Sequence, residues 1–540
     1  MKKYISIVTA ALLVFTACND LDTAPVNQYT DANFWSADRA QYMLNTAYSQ
    51  MFNVGKMLEW ESLSDNVLSC RGTSNSGRLI LTGQANADTG IFSSEWSDGY
   101  TCLKSCHAVL DNVPNVDGLT DAQRTDLLSQ ARFIRAMIYL RLITFYGDVP
   151  FFTTDITADE SKSITRSPKA EILSFVRSEL EEIIPQLPNK DNLATSLRGK
   201  ITQGAAIMLL ARSYLYQQDT DWAAVERYCN MLMSGQYGSY ELCDSYKAVF
   251  QEENEYNDEV ILDRAYVQNL ISWDNMQDHT PISRDGRLSD RVPLQSLVDN
   301  YIMLSGYTIT EAGTDYDPTN PYANRDPRMT ETIIYDGYDW AANVNDWFPT
   351  KGPITIDPAH TDDPGRENSD PQDIYDPSSN TSRTGYYIRK WYAPMAKGQW
   401  GSGLNIIMMR YADVLLMYAE AMNEQGKMSA AVWDATVKPI RARAGFTNGK
   451  ALDYPAVGQG EMRTILRNER RSELAMEGLR YFDVMRWKAA STYFTGKPMG
   501  ASFATDLGAT YNFNEGRGYL FAVPQSQIDL NSNLTQNPGW

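Results

Sequence analysis

Apolar side chains return every three or four positions through several long stretches of this chain, and that spacing predicts helices. Ile134, Met137, Ile138, Leu142 and Phe145 trace one stripe, and Tyr411, Val414, Leu415, Tyr418 and Met422 trace another. The first stripe stops at Gly147, with Pro150 just beyond, residues that end a helix and turn the chain. Gly204, Ala205 and Ala206 open a further helix with small side chains, Asp219-Thr220-Asp221 makes a turn, and Trp222 to Met233 returns. Tyr418-Ala419-Glu420-Ala421-Met422, the turn Gln425-Gly426-Lys427 and the return from Ala430 to Arg443 repeat the arrangement. Small residues on facing helices suit tetratricopeptide-like hairpins, although any helical bundle gives a similar pattern. Strand-like alternation is confined to short pieces such as Glu259 to Leu262 and Tyr519 to Val523. The predicted fold is mainly α.

The pattern changes between about 265 and 400. Asp-Pro pairs begin at Asp317, Asp326, Asp357, Asp363, Asp370 and Asp376, and a residue before proline is pushed out of the helical region. Trp273, Trp340, Trp347, Trp391 and Trp400 fall in the same stretch. A long irregular segment rich in aromatic side chains reads as functional surface.

Two ends of the charge and cysteine accounting narrow the function. A net charge of −19 would repel a phosphate backbone, which sets nucleic acid aside as a partner. Lys2 and Lys3 precede an apolar run from Ile5 to Ala17 that is short for a bilayer and stops directly before Cys18. That layout is a bacterial lipoprotein signal; the alternative is an ordinary secretory signal with an incidental cysteine. Cleavage before Cys18 frees its thiol for diacylglyceryl and its amine for a further acyl chain such as palmitate, and several chains hold a protein on a membrane where one does not.

The remaining cysteines, Cys70, Cys102, Cys106, Cys229 and Cys243, are odd in number and lack paired-thiol zinc spacing, so neither a disulfide framework nor a metal site is expected. Cys102, Cys106 and His107 read as buried helix residues rather than a Cys/His centre, because adjacent helical positions point about 100° apart. No cofactor is implied.

Several longer blocks carry a resemblance. Arg410-Tyr411-Ala412-Asp413-Val414-Leu415-Leu416-Met417-Tyr418-Ala419-Glu420-Ala421-Met422-Asn423-Glu424 is one, and Arg467-Asn468-Glu469-Arg470-Arg471-Ser472-Glu473-Leu474-Ala475-Met476-Glu477-Gly478 with Arg480-Tyr481-Phe482-Asp483 and Arg486-Trp487 is a second. Val523-Pro524-Gln525-Ser526 through Gln536-Asn537-Pro538-Gly539 is a third, with shorter matches at Tyr146-Gly147-Asp148-Val149-Pro150 and Asn324-Arg325-Asp326-Pro327-Arg328. In this order they resemble the SusD/RagB family of outer-membrane nutrient-binding lipoproteins.

The resemblance implies tetratricopeptide-like helical hairpins packed with an irregular, loop-rich, ligand-facing half. On this reading residues 1–17 are the signal peptide, 18–265 an N-terminal helical region, 266–400 a loop-rich insertion and 401–540 a C-terminal helical region completing the same body. It also implies a non-enzymatic lipoprotein on the exterior of the outer membrane that captures oligosaccharides and passes them to a TonB-dependent, SusC-like transporter. Asp20 and Asp22 resemble the acidic surface-export signal of such bacteria. Two alternatives are a RagB-like peptide-uptake lipoprotein and a surface glycoside hydrolase.

An aromatic ring desolvates the C–H face of a sugar while amides, carboxylates and guanidinium groups bond its hydroxyls. Trp96, where the family tends to carry a platform tryptophan, is the first candidate, and Trp273, at the change from helix to loop, is the second. Asp65, Asn66 and Arg71 resemble a segment near the family's binding face; an Asx-turn with a solvated arginine is the plainer alternative. Glu469, Glu473 and Glu477 recur every four residues and suggest one helix face. Both members of such a pair would approach a sugar from one side, and neighbouring arginines hold them ionised, so they read as ion-pair scaffolding rather than a hydrolytic pair.

Overall fold

The computed structural model describes residues 34–70, 75–273, 279–344, 352–366, 369–396 and 401–540. Helices α1 (Ala37–Met51), α2 (Val54–Glu61), α3 (Gly90–Asn112), α4 (Asp121–Tyr146), α5 (Lys169–Ile183), α6 (Gln203–Leu215) and α7 (Trp222–Met233) form the first half. Strand β1 (Val260–Arg264) follows them, and strand β2 (Ile406–Arg410) leads into α8 (Tyr411–Glu424), α9 (Ala430–Ala435), α10 (Val437–Ala444), α11 (Gln459–Glu473), α12 (Arg480–Arg486) and α13 (Gln525–Leu530). Sequential helices pack on one another, α3 on α4, α4 on α5 and α6 on α7, and α7 then packs on α8. The helical-hairpin expectation holds.

Local chemistry explains the main boundaries. Thr120 and Gln123 form a capping box that starts α4, and Gly147, at φ +73°, ends it where the left-handed turn favours glycine. Along α6, Ala205, Ala206, Met208 and Leu210 are all buried, which is the close approach that small residues permit. The return from Ala430 to Arg443 is two helices rather than one. Pro439 would set its ring against the carbonyl of Ala435 in a continuous helix, and the chain breaks at Thr436, φ −127° and ψ −75°.

Two expectations need correction. Glu259 to Leu262 does contribute a strand, β1, antiparallel to β2, whereas Tyr519 to Val523 forms none. The backbone N–H of Phe521 donates to the Phe145 carbonyl at 2.7 Å and that of Val523 to Gln536 Oε1 at 2.8 Å, so a helix end and a side chain take the bonds a strand partner would. Glu477 lies beyond the last residue of α11, after Met476 at φ +63°. Its carboxylate nevertheless joins those of Glu469 and Glu473 among buried cations. Glu469 accepts from Arg328 and Arg441, Glu473 from Arg410 and Arg328, and Glu477 from Arg410 and Lys390. Buried charges are stable only in such mutual company, and here they bind the loop-rich region to the C-terminal helices.

Asp263 on β1 is different: it is 3% exposed and makes no ion pair among the described residues, accepting instead from Asn405 Nδ2 at 2.9 Å. Burial pushes its carboxyl up to about 7. A folded value above the unfolded one means that stability is fully present below about pH 4 and is lost as pH rises towards 7. Asp263→Asn removes that titration, so urea unfolding from pH 4 to 7 is expected to favour the variant over wild type by an increasing margin, reaching about 4 kcal/mol at roughly 1.4 kcal/mol per pKa unit. A margin independent of pH contradicts the assignment.

Candidate functional site

Positions 96, 97, 100, 101 and 104 share one face of α3 and form a wall of a cleft of about 470 Å³. Pro150, Phe152, Ile156 and Lys162 come from the chain after α4, and Leu530, Asn531 and Leu534 close it from α13 and beyond. Asn531 Nδ2 donates to the carbonyls of Ser161 and Ile164 at 3.1 and 2.8 Å, clamping one lip to the other.

The rings are ordered by contact. Tyr100 and Phe152 stack with centroids 6.0 Å apart and planes 21° apart, and the Tyr100 hydroxyl donates to the Pro150 carbonyl at 2.8 Å. Trp96 stands behind them, 5.2 Å from Tyr100 and edge-on to Tyr146 at 5.1 Å. At 5% exposure it cannot offer a whole face to a ligand. Its indole N–H, however, donates to no protein group among the described residues. By contrast, the N–H groups of Trp60, Trp391, Trp433 and Trp487 are bound to Glu95, Met476, Leu452 and Glu420. Trp96 therefore brings a donor and a ring edge, while Tyr100 and Phe152 present the more accessible aromatic surface. Tyr100 was not singled out from the sequence, although its four-residue spacing from Trp96 puts both on one helix face and could have found it; nothing local pointed to Phe152 or Asn531.

The other predicted site residues lie elsewhere. Asp65 is buried and accepts from Arg480 Nε at 2.8 Å and Nη2 at 3.0 Å, with Arg471 Nη2 at 2.9 Å. Burial pushes this carboxyl up, and Arg471 and Arg480 more than offset it, so it stays below the ordinary aspartate value. Asn66 donates to Glu61 Oε1 at 2.6 Å and accepts from Arg471 Nε at 2.7 Å. Both side chains join α2 to the C-terminal helices and have no free face for a ligand. Trp273 is likewise a strut, 5% exposed, with its N–H on the Leu404 carbonyl at 2.9 Å and its backbone bridged to Ser402. Arg71 and Cys18 lie outside the described residues.

Cys102, Cys106 and His107 are buried within α3. Burial pushes the Cys106 thiol well up and, with Arg135 nearby, His107 down to about 3, so these groups are neutral. Among the described residues no group of His, Cys, Asp and Glu is arranged to hold a metal, and no helix is long and apolar enough to cross a membrane. Asp155 is the one carboxylate among the described residues that line the cleft.

Comparison with known proteins agrees across the chain. Residues 249–540 match the sequence model of the SusD family, and residues 21–215 match one described as "Starch-binding associating with outer membrane". SusD-like protein P2 of Formosa agariphila is 27% identical over the whole of both chains. The starch-binding protein SusD of Bacteroides thetaiotaomicron is 24% identical over 78% of this chain and 74% of its own. A crystal structure of a SusD-like carbohydrate-binding protein from Bacteroides fragilis superposes with a TM-score of 0.81, covering 93% of this chain and 99% of that one at 24% identity. Matches that span both helical halves, in sequence and in fold, make this chain a member of the SusD family.

Proposed function

We propose that the protein is an outer-membrane lipoprotein, tethered through Cys18 and facing the exterior, that binds oligosaccharides in the Trp96 cleft and delivers them to a TonB-dependent, SusC-like transporter. The observation that carries the binding role is the indole N–H of Trp96, without a protein acceptor among the described residues, beside the Tyr100–Phe152 stack in a cleft of about 470 Å³. Rings and a few polar groups in a concave site of this size suit a short saccharide. The relatives named as carbohydrate- and starch-binding support that class of ligand.

The protein holds its cargo without altering it. Glycoside hydrolysis ordinarily needs two carboxyl groups flanking the scissile bond, and the described lining supplies Asp155 alone. Isothermal titration against polysaccharides, their fragments and peptides tests the reading: heat with a glycan is expected. Tight peptide binding with no heat from any glycan overturns it in favour of peptide uptake. For the tether, Cys18→Ala is expected to move the protein from the membrane to the soluble fraction on cell fractionation, and a variant that stays with the membrane contradicts acylation at that residue.

A further inference from the structure

A second cleft, of about 580 Å³ and sharing no lining residue with the first, lies between the 300–311 loop, the short helix Gly449–Leu452 and α11. Gly306, at φ +88°, lets the loop close one end: a Cβ there would fall 2.7 Å from the Ala451 nitrogen. Arg441 lies in the floor, 7% exposed, its guanidinium over the Trp433 ring with 5.2 Å to the centroid. Nε donates to Glu469 at 2.7 Å and Nη1 to the Ala451 carbonyl at 2.8 Å. Nη2 has no protein acceptor among the described residues and is not fully buried, and Arg441 is one of the residues that line the cleft.

Two amides stand beside it. The Asn468 side chain makes no hydrogen bond with the described protein. Asn300 spends its Nδ2 on the Asn468 carbonyl at 2.9 Å and Ser472 Oγ at 2.8 Å, which leaves Oδ1 as an acceptor. Half-buried Tyr454 meets Trp433 at 6.3 Å and 62° and supplies a ring on the wall. A buried guanidinium such as that of Arg441 normally has its donors satisfied, by protein, water or ligand.

The charge balance decides the class of ligand. Glu469 pairs with Arg441 and Glu311 with Lys450, and Asp326, Asp453 and Glu461 add further negative charge to the lining, a surplus that repels a carboxylate or phosphate and leaves an uncharged polar ligand the better fit. A guanidinium donor, an amide of both kinds and an amide oxygen acceptor lining one cleft with an aromatic ring match the vicinal hydroxyls and C–H face of a sugar. We propose that this cleft is a second saccharide site, selective for a neutral sugar and independent of the Trp96 cleft.

Hydrogen–deuterium exchange of the full mature protein, with D-glucose, D-galactose, D-mannose and D-xylose each at high millimolar concentration, tests it. At least one sugar is expected to slow exchange across residues 449–468, and the effect should persist in Trp96→Phe. Asn468→Ala, which breaks no protein hydrogen bond of the side chain, is compared with wild type by thermal unfolding as well, which separates ligand contact from damage. Asn468→Ala is expected to weaken the protecting sugar by about tenfold with its unfolding midpoint unchanged. No protection by any of the four sugars, or protection undiminished in Asn468→Ala, overturns the second site. Protection at 449–468 that disappears in Trp96→Phe overturns its independence, while failure of glycan binding at the Trp96 cleft alone leaves these outcomes unchanged.

Discussion

Glu473→Ala is expected to lower the unfolding free energy by about 3–5 kcal/mol, the cost of breaking a buried ion pair by removing one partner. Glu473 is fully buried at the end of α11 and accepts from Arg410 Nη1 at 2.6 Å, Arg328 Nη1 at 2.9 Å and Arg443 Nη2. Those three buried guanidinium groups share its charge, and alanine leaves Arg328, Arg410 and Arg443 with only their remaining partners, Asp326, Glu469, Glu259 and Glu477, to offset them. Burial alone would push the carboxyl up, but Arg443, Arg410 and Arg328 hold it far below the ordinary glutamate value. A depressed folded value places its stabilisation above about pH 4.5 and removes it as pH falls below that. Urea unfolding of wild type and variant at neutral and acid pH is the measurement: the gap should be widest at neutral pH and shrink on acidification. A neutral-pH gap under about 1 kcal/mol, the size of an exposed pair, contradicts the buried-network account.

This glutamate also shows what could be read from residue order and what could not. The four-residue spacing of Glu469 and Glu473 amid arginines pointed to scaffolding, and the partners in α10, β2 and the short helix Pro327–Thr332 bear that out. Helix periodicity located α4, α8 and the α6–α7 hairpin because one buried stripe is a local property of the chain. Asp65 and Asn66 were misplaced for the opposite reason. Their partners Arg471 and Arg480 lie some four hundred positions away, and a polar pair in a short motif looks the same whether it faces solvent or a distant guanidinium. Trp273 failed likewise, since its acceptor, Leu404, is over a hundred residues on. Trp96 reached the cleft, but its role changed from ring face to ring edge and donor once Tyr100 and Phe152 were in place.

That change of role gives the binding prediction its form. Trp96→Phe keeps a ring and much of the packing against Tyr146 but deletes the N–H, so affinity for the bound glycan should fall by about 0.5–1.5 kcal/mol, roughly two- to tenfold. Tyr100→Ala removes the ring that stacks on Phe152 and the hydroxyl that anchors Pro150, and a loss of about 2–4 kcal/mol is expected, at the level of an interface anchor. Tyr100→Phe keeps the stack and tests the anchor alone. Trp96→Ala is the less informative variant, because emptying a side chain only 5% exposed costs about 3–5 kcal/mol of stability and blurs any binding change. Titration calorimetry on Trp96→Phe, Tyr100→Phe and Tyr100→Ala, each with a matched thermal unfolding curve, therefore separates the two contributions. If Trp96 instead bound sugar through its face, Trp96→Phe would cost more than Tyr100→Ala, and the order of the two losses is the observation that decides.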